Sequence, residues 1–174
     1  MNFLIKFKVI IFISIFAVSI GWSQESMRIP NLQQVTEQVF RGGRPVNHDL
    51  ESMQRNYGIH AIIDLENNEQ AVNQEKQVAG RIGVKFLSSP MSWQVRPTDQ
   101  QIDQILQALQ DEKNFPIFLH CAHGEDRTGL LMGLYRVEVQ GWTPEKAYLE
   151  MLKLGFHPKF KALDDYFRDR TGFH

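Results

Sequence analysis

The 174-residue chain has a single cysteine, Cys121. No internal disulfide can form, so nothing covalent staples the fold. Charge of one sign is also lacking: 19 Lys and Arg stand against 20 Asp and Glu, a formal net charge of −1. That balance provides no global basic field and excludes nucleic acid as an expected partner. Internal repeats and low-complexity linkers are missing too. The one sustained apolar stretch, Val9 to Ile20, is too short to span a bilayer comfortably. What remains is an ordinary globular composition, 43% hydrophobic and 22% charged. A chain of this length suggests one domain whose core is buried without metals or disulfides.

Lys6 and Lys8 begin the apolar stretch, and Ser19, Gly21 and Ser23 close it with small residues at cleavage-type spacing. Residues 1–23 therefore read as a secretory signal peptide ahead of a domain over 24–174. An uncleaved N-terminal anchor is the alternative. The expected location is periplasmic or secreted, with no membrane association after cleavage. A spare thiol is a liability in an exported protein. Cys121 is then either a small buried hydrophobe or a working nucleophile, and its flanks favour the second.

Val35 to Phe40 alternates apolar and polar residues and predicts a strand ending at the turn Arg41-Gly42-Gly43-Arg44-Pro45. Asn47 is a cap for a helix to about Tyr57, stopped by Gly58. Ile59 to Leu65 is a continuous apolar run, as in a buried parallel strand. A polar helix follows over Glu69 to Arg81 with Val72 and Val78 inward, then a short strand over Val84 to Leu87. Ser88 to Arg96 is a loop. Pro97 or Thr98 opens an amphipathic helix carrying Ile102, Ile105, Leu106 and Leu109. Pro116 to His120 is a strand, and helices follow over Leu130–Val139, from Thr143, and over about Phe160–Arg170. Strands alternating with helices predict an α/β fold with a mostly parallel central sheet flanked by helices. Ligands in such sheets sit beyond the carboxyl ends of the strands, where Cys121 lies.

The segment from His120 to Gly129 runs strand, tight loop, helix: His-Cys-Ala-His-Gly-Glu-Asp-Arg-Thr-Gly. A loop that feeds a helix N-terminus offers converging N–H donors to an anion, and the helix dipole favours both a thiolate and a phosphate there. Ala122, His123, Gly124 and Glu125 are the candidate substrate-binding backbone, with Gly124 allowing a turn that a side chain would obstruct. Arg127 has the fork geometry to hold two phosphate oxygens. Cys121 is the nucleophile, Thr128 a hydroxyl for its sulfur, and His120 a structural support of the loop. Attack yields a cysteinyl-phosphate that water hydrolyses, with no metal and no cofactor required.

His120, Cys121, Gly124, Arg127, Thr128 and Gly129 coincide by chance on the order of 10⁻⁸ per position at common residue frequencies. Together they match the H-C-x5-R-[ST]-G signature, and the chain resembles the protein tyrosine phosphatase superfamily. The resemblance implies a thiol nucleophile at Cys121, a phosphate-coordinating Arg127 and a supporting Thr128. Phe40-Arg41-Gly42-Gly43-Arg44-Pro45, Ile62-Ile63-Asp64-Leu65 and Pro90 follow the order of small dual-specificity-type phosphatases. Arg96-Pro97-Thr98-Asp99-Gln100-Gln101-Ile102-Asp103 is similar to a segment of tyrosine-phosphatase-like inositol polyphosphatases, the phytases.

The leaving oxygen needs a proton. Aligned on Pro97-Thr98, those families carry an aspartate where this chain has Trp93, so the usual loop acid is missing. Asp126 is the expected replacement, as myotubularin-type lipid phosphatases carry an aspartate at the same offset. Asp99 is the second candidate, more naturally a stabiliser of its helix N-terminus. Arg41, Arg96 and more weakly Arg44 form an expected cationic rim for a polyphosphorylated substrate. Export and the phytase-like segment point to hydrolysis of inositol polyphosphates such as phytate. The alternatives are a protein tyrosine or dual-specificity phosphatase acting on a phosphoprotein, and a silent phosphate-binding module.

Overall fold

The computed structural model describes residues 27–174; the expected signal segment lies outside the described residues. Strands β1 (Gln33–Gln34), β2 (Val39–Gly42), β3 (Ala61–Asp64), β4 (Lys85–Ser88) and β5 (Ile117–His120) form one sheet in the order β1-β2-β5-β3-β4. β2, β5, β3 and β4 run parallel, and β1 pairs antiparallel with β2 at the edge. The helices are α1 (Asn47–Tyr57), α2 (Glu69–Arg81), α3 (Asp99–Ala108), α4 (Asp126–Leu134), α5 (Pro144–Lys153) and α6 (Lys161–Thr171). A widened turn over Tyr135–Val139 extends α4. The expected α/β architecture with a mostly parallel central sheet is the observed one. No helix among the described residues is long and apolar enough to cross a membrane.

Alternation along the central strands sorts the core into two layers. Ile117 and Leu119 of β5, with Ala61 and Ile63 of β3, pack with Ile102, Leu130, Leu131 and Phe167 of α3, α4 and α6. Phe118 and Ile62 point the other way, onto Leu50 and Met53 of α1 and Val78 and Ala79 of α2. Every residue of α4 from Arg127 to Leu134 is buried, which fits a helix apolar on all sides. Each fully buried aliphatic side chain contributes roughly 1.5–3 kcal/mol by area.

Local chemistry sets the boundaries. Asn68 caps α2 through Ala71 N–H, Thr98 caps α3 through Gln101 N–H, and Thr143 caps α5 through Lys146 N–H with Pro144 behind it. Two expectations need correction. Val46, not Asn47, occupies the cap position of α1, and the Asp49 carboxylate accepts from the Val46 and Arg28 N–H groups. The strand expected over Val35–Phe40 is instead a hairpin turn followed by β2. The Thr36 hydroxyl accepts from Gln38 and Val39 N–H, folding the chain back so that Arg41 and Gly42 are strand residues.

Candidate active site

The carboxyl end of β5 delivers Cys121 to the centre of the sheet edge, with β2 on one side and β3 on the other. Cys121 is buried, 2% exposed. The next residues turn into α4, and their carbonyls all find donors outside the loop. Ala122 O accepts from Arg44 N–H at 3.0 Å and His123 O from the Asn31 side-chain amide at 3.1 Å. Gly124 O accepts from the Arg41 guanidinium. Cys121 O faces the His120 ring Nδ1 at 3.3 Å. Among the described residues, the N–H groups of Ala122 to Arg127 take no acceptor in the loop and turn hydrogen bonds. Carbonyls turned out and N–H groups left over make a nest for an anion at the helix N-terminus.

Two glycine contacts make this loop possible. Gly124 has φ +74°, and a Cβ there would collide with the backbone of Gly42 and Gly43. A Cβ on Gly43 would sit 2.9 Å from the His123 carbonyl carbon. The Gly42-Gly43 pair is therefore a close-approach surface beneath the loop. Asn31, at φ 49°, reaches over the loop from the other side, a conformation its side chain tolerates.

Arg127 is 9% exposed. Its Nη1 donates to Leu65 O at 3.2 Å, Met91 O at 3.3 Å and Asn67 Oδ1 at 3.4 Å. Nε and Nη2 take no partner among the described residues, so one edge of the fork is anchored and the other stays available. The Thr128 hydroxyl is buried and donates to Gly42 O at 3.4 Å, with no hydrogen bond to the sulfur.

Behind the loop lies a buried ionic cluster. His120 Nε2 is 2.7 Å from Glu75 Oε1 and 3.9 Å from Asp64 Oδ1. Burial alone would push the His120 imidazolium down, but the Glu75 charge and hydrogen bond, with Asp64, raise it to about 9. Burial pushes the Asp64 carboxyl up to about 6, against the pull of His120 and the Glu66 N–H. With both ring nitrogens donating, His120 bridges Glu75 to the Cys121 carbonyl. A histidine raised from 6.5 contributes stability that is complete below the unfolded value and lost as pH rises through about 9. Asp64 acts lower, costing stability as pH rises from 3.8 through about 6. Glu75→Gln should therefore flatten the decline in denaturation midpoint between pH 7 and 10, a decline worth roughly 1–3 kcal/mol. An unchanged decline in the variant would show that this pair does not set it.

The expected rim is differently built. Arg41 is not at the rim: it is 2% exposed, lying beneath the loop with Nη2 on Gly124 O. Burial, partly offset by the charge of Cys121, lowers its guanidinium to about 10. The strand continues two residues further than expected, and this turns Arg41 inward. Arg96 is exposed and pairs with Asp169 at 2.9 Å, its guanidinium stacked over Tyr166. Arg44 is bidentate on Glu66. His123 is exposed, and Glu125 and Asp126 are half-buried.

Asp126 begins α4, but its carboxylate is turned to His157. Oδ1 accepts from His157 N–H at 2.8 Å and lies 3.1 Å from the ring Nδ1. Asp99, the other acid candidate, accepts from the Tyr166 hydroxyl at 2.8 Å. Trp93 is exposed at 44% and packs on Phe160, ring centroids 4.8 Å apart. Two trios bring metal-ligand atoms within 4.8 Å of one another: Asp64, Glu75 and His120, and Glu125, Asp126 and His157. In each, the histidine is already paired with a carboxylate. A surface hollow of about 750 Å³ runs along β4 and α3, and no loop residue lines it.

A family model described as a DSP-PTPase phosphatase fused to NAD+ kinase matches residues 15–163. The chain belongs to the dual-specificity phosphatase family of the protein tyrosine phosphatase superfamily. The dual specificity protein phosphatase TpbA of Pseudomonas aeruginosa is 30% identical over 137 residues, 78% of this chain and 60% of the relative. The inositol diphosphatase SIW14 of Saccharomyces cerevisiae is 25% identical over 141 residues, 79% of this chain and 49% of the relative. The chain thus spans about 60% or less of these relatives' length. The crystal structure of TpbA superposes with a TM-score of 0.69 at 26% identity, covering 80% of this family member and 84% of TpbA. A Cys-to-Ser variant of TpbA has been solved with phosphotyrosine. The catalytic core of SIW14 shares the fold at a TM-score of 0.69 and 22% identity, over 83% of this chain and 91% of that core.

Sequence reasoning missed Glu75, Asn31 and His157. Glu75 had a signal: it lies three residues after Val72 and three before Val78, on the inward face of α2. Asn31 and His157 reach the loop only through the tertiary fold.

Proposed function

We propose that this chain is a cysteine-dependent phosphatase acting on phosphate monoesters of low charge, with phosphotyrosine as the leading substrate class. The observation that carries the proposal is the loop itself, with its carbonyls tied outward and its amides left over around Cys121 and Arg127. Sγ attacks phosphorus in line. The S–P bond forms as the ester P–O bond breaks, and the loop amides and Arg127 hold the charge on the equatorial oxygens. Water then displaces the thiolate and releases phosphate.

The preference for low charge comes from the rim. Arg41 is withdrawn, Arg44 and Arg96 are neutralised by Glu66 and Asp169, and Glu125 and Asp126 flank the anion site. A polyphosphorylated ring would meet few unpaired cations and two carboxylates. Similarity to TpbA, a dual specificity protein phosphatase, supports the same direction. Hydrolysis of inositol polyphosphates, the expectation raised by the phytase-like segment, is the second reading, and similarity to inositol diphosphatases favours it. Export to the periplasm or beyond belongs to the proposal and rests on residues 1–23 alone.

Phosphate release from phosphotyrosine peptides, inositol hexakisphosphate and an inositol diphosphate, each assayed with purified protein, tests the choice. We expect kcat/KM at least about ten-fold higher on the peptides. Preference for either inositol compound would reverse the assignment, and inertness toward all three would support a silent binding module.

A further inference from the structure

The loop before α3, from Ser88 to Arg96, contains no carboxylic acid. Asp126, the expected substitute, has its Oδ1 occupied by two donors from His157. A carboxylate held as an acceptor by backbone N–H and imidazole N–H is arranged to orient the ring and not to give up a proton of its own. The same bond defines the ring: Nδ1 faces Asp126, and Nε2 is left as the nitrogen for proton transfer. The His157 side chain is 44% exposed.

His157 is also linked to Arg127 by two independent routes. Along one, Asp126 is the neighbour of Arg127 and binds His157 directly. Along the other, Arg127 Nη1 holds Met91 O, the chain continues to Trp93, Trp93 packs on Phe160, and Phe160 meets the His157 ring edge-on at 5.6 Å. The two routes meet at His157, which is thereby tied to Arg127 through both the loop and the Trp93 segment.

We propose that His157, oriented by Asp126, is the proton donor to the leaving group in this site. The inference rests on the cysteine phosphatase reading above and deepens it. In the first step the Nε2 proton of the imidazolium passes to the ester oxygen as the P–O bond breaks and S–P forms, leaving neutral imidazole. In the second, Nε2 takes a proton from the attacking water as the S–P bond breaks and thiolate departs. The proton count closes over one turnover. Asp126 is then a positioning residue. Among the described residues, Glu125 also brings a carboxylate oxygen within 4.8 Å of a His157 ring nitrogen, and the Lys159 ammonium lies nearby over the Phe160 ring.

The test compares leaving groups. A phosphotyrosine peptide has a poor leaving group and needs the proton; 4-nitrophenyl phosphate has a good one and needs it far less. We expect His157→Gln to lower kcat on the peptide about 10²-fold, and on the nitrophenyl ester at least ten-fold less steeply. Asp126→Asn should give a smaller loss of the same asymmetric kind, and the double variant should be no worse than His157→Gln alone. The alkaline limb of the peptide kcat profile should disappear in His157→Gln. Equal losses on both substrates, or no loss on the peptide, would overturn the assignment while leaving the phosphatase reading intact. Inertness of the wild-type protein toward both esters would overturn both. A thermal melt of each variant separates misfolding from lost proton transfer, and Glu125→Gln must not reproduce the asymmetry.

Discussion

Cys121→Ser is expected to reduce turnover of every phosphate monoester by about 10⁴-fold or more, with the fold intact. The thiol is buried at the end of β5 among the apolar residues of one core layer, and serine differs from it only by a smaller, more polar atom. What changes is the nucleophile. A serine hydroxyl at this position has no general base among its neighbours: His120 Nε2 is taken by Glu75 on the far side of the loop, and its Nδ1 faces the Cys121 carbonyl. The loop amides and Arg127 remain, so the variant should still bind a phosphorylated peptide. Initial rates and a binding titration on the same preparation check this. A residual rate within ten-fold of wild type would remove Cys121 from the chemistry.

Arg127→Lys is expected to cost about 10²–10³-fold in kcat/KM. The arginine does two things at once. Nη1 is pinned by Leu65 O, Met91 O and Asn67, which tie β3 and the Trp93 loop to the anion site. The remaining edge of the fork presents two donors to the substrate. A lysine ammonium supplies charge without the fork and cannot satisfy both sides. The loss should therefore exceed what charge removal at the exposed Arg96 produces, and Arg96→Gln is the comparison. An Arg127→Lys protein within a few-fold of wild type would contradict bidentate phosphate binding.

Much of this site was legible because its chemistry is packed into one contiguous segment. The proposed nucleophile, nest and fork all lie within the eight residues from Cys121 to Thr128, and the apolar strand before them and helix after them fix their place at a sheet edge. The apolar run of β5 and the helix openings at Thr98 and Thr143 made several boundaries readable. Arg41 shows what was not. Beside Gly42-Gly43 it read as a turn residue at the surface, because glycine pairs mark turns more often than close approaches. Here they give room for Gly124 to pack on β2, and the strand that continues through them carries Arg41 beneath the loop. The ionic cluster behind the loop escaped for another reason. Glu75 and His120 are 45 residues apart, and only the packing of α2 on the face of the sheet joins them. Asp126 stood out in the sequence as the expected acid, but its partner His157 lies 31 residues further on with no local pattern to announce it.

The most direct test is to trap the intermediate. Purified protein is mixed rapidly with 4-nitrophenyl phosphate, quenched in acid within the first turnover, digested and examined by mass spectrometry. Phosphate on the peptide containing Cys121, appearing with a burst of nitrophenol and absent in Cys121→Ser, is the expected result. Phosphate on another residue, or full turnover with no phosphorylated peptide at any time, would contradict it.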